Sequence, residues 1–150
     1  MASVDIGGFG FSALLTSFPL YPMGVNLTSF PDDQDPFNIK ELQVADSAMG
    51  LNGDFVYWRN ANPIELTISI IPNSLDDIAL SYILEQDRVS KLKSQAATTK
   101  NVINIVCKYP NSKIVTFTNG ILISGSPDST VQSSGRIGTK SYTFRFENKV

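Results

Sequence analysis

The chain has no histidine and a single cysteine among its 150 residues. The missing imidazole removes the usual general base near neutral pH, every Ser-His and Cys-His nucleophile pair, and most zinc sites. A lone Cys107 cannot close an intrachain disulfide, which suits synthesis in a reducing cytosol. It sits in an apolar run and reads as a small buried hydrophobe. Charge is scarce too. Asp, Glu, Lys and Arg make up 17% of the residues, against about 25% in an ordinary soluble domain. Part of the surface is therefore expected to be covered by neighbouring subunits. The 12 basic and 14 acidic residues leave a net charge of −2, which excludes the basic stripe of a nucleic-acid binder. No apolar run approaches the roughly 20 residues of a membrane helix. Met1-Ala2-Ser3-Val4-Asp5 lacks the basic start of a signal peptide. On that footing the sequon Asn26-Leu27-Thr28 is a chance match.

What is present reads as strands around one helix. Phe9–Thr16 is apolar and strand-like, broken by Pro19 and Pro22. Val25–Phe30 is a second strand, followed by the acidic turn Pro31–Pro36 and a short strand over Ile39–Val44. Gly50, Asn52 and Gly53 mark a reversal, and Asp54–Trp58 leaves it as a strand. Ile64–Ile70 alternates apolar and polar residues strictly, the mark of a strand with one buried face. Ser74-Leu75-Asp76-Asp77 is a helix start, with a serine cap and acidic residues where the dipole favours them. Leu75, Ile78, Ala79, Tyr82, Ile83 and Val89 fall near helical spacing. Asn101–Tyr109 is rich in β-branched residues, and Asn119-Gly120 predicts a hairpin between Lys113–Thr118 and Ile121–Ser124. Gly125–Gly138 is a polar loop. Lys140–Glu147 alternates again, with Tyr142, Phe144 and Phe146 on one face. The pattern predicts a single, mainly β domain over residues 1–150. Its form is an antiparallel β-sandwich or barrel of seven or eight strands, with one α-helix packed outside.

Candidate chemistry is thin. Asp32, Asp33 and Asp35 cluster as calcium ligands do, but Pro36 and Phe37 stand where further ligands are needed, so a solvated turn is the expectation. Asp54 and Glu65 are the carboxylates available for a glycosidase pair. Gly135–Ser141 superficially resembles a phosphate loop, yet Thr139 separates Gly138 from Lys140 and a strand follows. Arg88, Lys91, Lys93 and Lys100 form a basic group at the helix end, read as a solvated terminus. Tyr57 and Trp58 offer a sugar-stacking platform or, more simply, a packing surface. The residues predict no enzyme, no metal and no cofactor.

The order of elements points further. A glycine-punctuated loop Ala45–Asp54 leads to the alternating Ile64–Ile70, then to a short helix from Ser74. The segment Thr118-Asn119-Gly120 and the closing Gly138–Phe146 complete the series. From about residue 40 onward this resembles the tail tube proteins of contractile-tailed phages and the baseplate ring proteins that share their fold. Residues 1–40 fit less well. The resemblance implies a virion tail subunit made in the host bacterial cytoplasm. Copies would join in a ring, a hexamer by family expectation, around a channel through which DNA only passes. Sheath, tape measure or baseplate hub proteins would be neighbours, with no membrane partner. It implies subunit contacts through two loops, with Asp46, Met49, Asn52, Asp54, Ser126, Asp128 and Arg136 as candidates. Glu65, Thr67, Ser69, Thr143 and Arg145 are the channel-lining candidates it implies. The expected function is the tail tube; the alternatives are a baseplate or tube-initiating ring of the same fold and a carbohydrate-binding β-sandwich module.

Overall fold

The structure, a computed structural model, describes residues 6–18, 20–92 and 102–150, without the side chains of residues 90–92. Met1–Asp5, Pro19, Lys93, Lys100, Asn101 and the Lys91 side chain therefore lie outside the described residues. The described residues form β1 (Ser12–Phe18), β2 (Tyr21–Leu27), β3 (Phe37–Ile39), β4 (Ala45–Met49), β5 (Phe55–Arg59) and β6 (Ile64–Ile70). Then come α1 (Leu75–Leu92), β7 (Val102–Lys108), β8 (Ile114–Gly125) and β9 (Lys140–Lys149). Seven strands make one antiparallel sheet in the order β2-β1-β7-β8-β9-β6-β3, while β4 and β5 form a separate ribbon.

The large sheet curls towards closure. Ser29, just past the edge strand β2, accepts a backbone bond from Ile71 at 2.9 Å, and Ile71 follows β6 near the opposite edge. Asp76 in the first turn of α1 reinforces the seam, its Oδ2 accepting from the N–H groups of Thr28 and Ser29 at 2.9 and 2.8 Å. Strand alternation then sends one set of side chains inward. Leu15, Leu27, Leu66, Ile68, Ile103, Ile105, Phe117, Tyr142, Phe144 and Phe146 share one buried cluster with Leu80 and Ile83 of the helix.

The mainly β, antiparallel fold with one helix is as expected, with nine strands among the described residues, seven of them in the large sheet. Several sequence expectations are corrected. The strand expected over Ile39–Val44 is not formed: β3 ends at Ile39, β4 begins at Ala45, and residues 40–44 lie in neither. Asp46–Met49 is thus strand rather than loop. Pro22 does not break a strand; it lies inside β2, where the outer edge needs no N–H donor. Asn119-Gly120 is no hairpin. It forms a bulge inside the continuous β8, where Thr118 and Asn119 stand opposite the single residue Asn104. Asn119 takes φ of 56°, the same left-handed conformation that a hairpin turn requires. Its N–H bonds to Asn104 Oδ1 at 2.9 Å.

The helix starts where the cap predicts. Ser74 Oγ accepts from the Asp77 N–H at 3.2 Å, and Asp77 Oδ2 accepts from the Asn73 N–H at 3.0 Å. Its buried face differs from the expected one. Leu75, Ile78 and Tyr82 are exposed, whereas Asp76, Asp77, Ala79, Leu80 and Ile83 are buried. The acidic first turn faces inward because each of its carboxylates has partners on the sheet: the Thr28 and Ser29 N–H groups for Asp76, and buried Lys140 and Tyr142 for Asp77. Tyr82 keeps an edge-on ring contact with Tyr21 at 6.0 Å.

Candidate assembly interface

The β6–β9 pairing brings the channel-lining candidates onto one face. Glu65 stands opposite Arg145, Thr67 opposite Thr143, and Ser69 opposite Ser141. Arg145 reaches Glu65 at 3.6 Å, with Lys40 adding a 3.8 Å contact to the same carboxylate. The Thr67 and Thr143 hydroxyls are 3.3 Å apart, those of Ser69 and Ser141 3.0 Å apart. This polar ladder covers the outer side of the strands whose inner side carries Leu66, Ile68, Tyr142 and Phe144. Ser69 is itself buried, because Gln34 of the acidic turn folds over it and accepts from Ser69 and Ser141 at 3.5 and 3.3 Å.

Two loops are clasped beside that ladder. Arg136 donates to Asp32 Oδ1 at 2.5 Å, and Thr139 donates to Asp33 Oδ1 at 2.7 Å. The bond from Arg136 is the main cause holding the Asp32 carboxyl below its usual range. Asp32 and Asp33 are thus occupied as acceptors. Among the described residues no cluster of His, Cys, Asp or Glu is arranged to hold a metal ion. The 126–139 loop is shaped by a tight turn at Gln132–Gly135 and an isolated bridge between Val131 and Ile137. Asp128 bends its own loop by accepting from the Ser129 N–H at 2.7 Å. Asp128 and Arg136 are exposed and Ser126 half-buried.

Asp46, Met49, Asn52 and Asp54 are brought together on the β4–β5 ribbon. Asp46 ties down its base, accepting from Asn60 at 2.8 Å and Gln43 at 2.5 Å. Its reversal is closed by Gly50 and Asp54, with Gly53 at φ of 85°. Every residue of β5 is exposed. Alternation places Phe55 and Tyr57 with Met49 on one face, and Val56 and Trp58 with Ala48 on the other. Tyr57 and Trp58 therefore point to opposite sides and cannot make one sugar-stacking platform. The Phe55 and Tyr57 rings instead stack 5.9 Å apart. The sequence reading missed Phe55, Val56 and Leu51 as surface residues. The unbroken apolar run Phe55–Trp58 was the available signal, since a strand with one buried face alternates. Asp54 in this turn and Glu65, bound to Arg145, form no carboxylate pair.

A buried polar group fixes the helix to the sheet. Lys140 Nζ lies 3.1 Å from Asp77 Oδ1 and donates to Ser81 Oγ at 2.9 Å, while Tyr142 donates to Asp77 Oδ1 at 2.8 Å. Burial works against the Lys140 charge, but its bonds to Asp77 and Tyr142 prevail and hold its pKa above the ordinary value. Burial is likewise the first cause pushing Tyr142 up. Each polar group is satisfied within the cluster, so it serves as a lock rather than an open site. Arg88, from the proposed basic group, pairs with Glu85 one helical turn back.

The described residues thus form a curled antiparallel sheet with a helix packed against it, two loops clasped to each other and an exposed apolar ribbon. A family model described as "Tail fiber protein gp32" (E217_Gp32) matches residues 4–150, and the chain belongs to that family. It is a non-enzymatic structural protein of a phage tail. Among curated proteins no sequence matches it. In fold it is similar to a chain in the cryo-EM structure of the anti-feeding prophage cap, the tube-terminating cap. That match has TM-score 0.51 and 13% identity, covering 100% of this chain and 92% of that one. It is also similar to a chain of the six-fold symmetrised anti-feeding prophage baseplate. There the TM-score is 0.52 and the identity 10%, covering 100% of this chain and 96% of that one.

Proposed function

We propose that this chain is a ring-forming component at the baseplate or tube end of a contractile phage tail, rather than the repeating subunit of the tail tube. The observation that carries this reading is full-length likeness in fold to chains from a tube-terminating cap and from a baseplate. The physical features agree with it. The edge strand β2 leaves a row of backbone groups for a neighbour to pair with, which is how ring subunits join. The ladder from Glu65 to Ser141 gives a polar strip suited to the wall of a channel that nucleic acid crosses without binding. The clasped 126–139 loop and the ribbon supply lateral or axial contacts. Copies of the chain would close into a ring, with six-fold symmetry as the expectation, and meet other tail proteins above and below.

Electron microscopy of the purified protein tests this. Discrete rings of limited height support it; open-ended tubes would restore the tail-tube reading. The family description favours a second reading, a component of the tail fibre. On that reading the chain would bind other fibre proteins and would not form rings with itself.

A further inference from the structure

We infer that an aromatic groove beside the first described residues receives the tip of the β4–β5 ribbon of a second copy of this chain. The inference rests on the proposed self-assembly and names the two surfaces that would meet. The groove has a volume of about 1100 Å³. Its floor is a packed set of rings: Phe11 lies 4.7 Å from Phe37, 5.7 Å from Phe30 and 5.1 Å from Tyr109. Those rings rest on the core, so the floor is fixed. Pro31, Pro36 and Phe9 also line it, and Phe9 is 98% exposed. No Asp, Glu, Lys or Arg is among its described lining residues.

The same chain carries a matching insert. Leu51 at the ribbon tip is fully exposed, with Met49 and Phe55 about two-thirds exposed behind it. A two-stranded ribbon is marginally stable alone in water, and this one is apolar on both faces. One flat partner surface would cover only one of those faces. A groove with a floor and walls covers both. Small-molecule pockets run to about 1,000 Å³, so this volume exceeds one side chain and suits a hairpin tip. Neither surface offers a charge pattern that would select an acidic or basic partner, because Asp54 is the sole charged residue in 47–56. No ribbon residue lines the groove of its own chain. Ribbon into groove is a head-to-tail contact, which repeats around a ring when the rotation closes.

Cross-linking of single-cysteine variants tests the pairing. Cys107 is buried, and burial pushes its thiol up to about 12, so it does not compete. Leu51→Cys and Phe9→Cys proteins are mixed, allowed to assemble and treated with a short bismaleimide. The expected result is a covalent pair in the mixture at least tenfold above either variant alone. The double variant is expected to give a ladder ending at the ring size. Wild-type rings without that cross-link would overturn the inference while leaving the ring reading intact. Absence of any wild-type assembly would overturn both. A Leu51→Asp variant controls for folding: it is expected to stay monomeric with an unchanged circular dichroism spectrum, and rings from it would also overturn the inference.

Discussion

Lys140 and Asp77 form an ion pair of 3.1 Å in which both side chains are almost fully buried. The pair joins β9 to the first turn of α1, where Asp77 also binds the Asn73 N–H. A buried charge without its partner is far more costly than a buried pair. Lys140→Met is therefore expected to lower stability by about 3–5 kcal/mol, read from denaturant unfolding. Combining it with Asp77→Asn removes the orphaned charge and should recover much of the loss. A double variant no better than the single would show that the ion pair is not the reason.

The same cluster sets an alkaline limit. Lys140 and Tyr142 both have folded pKa values raised above their ordinary 10.5 and 10.0. Folding thus holds their protons more tightly, and their contribution is complete below about pH 10. It is lost as pH rises through the folded values. Stability measured from pH 8 to 12 should fall on the alkaline side, less steeply in Lys140→Met. Equal slopes in both proteins would contradict this origin.

Gly120 lies directly under the Phe146 ring, and a methyl group there would overlap it. Gly120→Ala should destabilise by about 1–3 kcal/mol, as overpacking does. Phe146→Leu in the same chain should relieve part of that loss. Asn119→Gly should be tolerated, because glycine takes the positive φ more readily. A thermal melt of the three variants separates crowding from backbone strain.

These positions also show what the sequence could reveal. Ile64–Ile70 and Lys140–Glu147 were readable because strict alternation has one structural meaning, and the Ser74 cap because its partners are local. Asn119-Gly120 was ambiguous, since a bulge and a hairpin both need a residue with positive φ. The helix face was misjudged because Asp76 and Asp77 look solvent-facing until Thr28, Lys140 and Tyr142 come from afar to bind them. The polar ladder followed from register once β6 met β9. The bonds of Asp46 to Asn60 and of Arg136 to Asp32 were not legible, because each joins residues far apart in sequence that only the fold brings together.

The two ribbon faces make separate predictions. Tyr57→Ser and Trp58→Ser each remove an exposed ring and should change the unfolding free energy by no more than about 0.5 kcal/mol. Each should weaken assembly by tenfold or more, because the proposed docking covers both faces. Sedimentation at graded concentrations reads this. An effect from one face alone would mean that the ribbon lies on a single flat surface.

A reconstruction of the intact tail reads the position of this protein in the virion. The proposed function requires this fold as a closed ring at an end of the tail, present in one or a few layers. Its presence in every layer along the tube, or only in projecting fibres, would overturn that proposal.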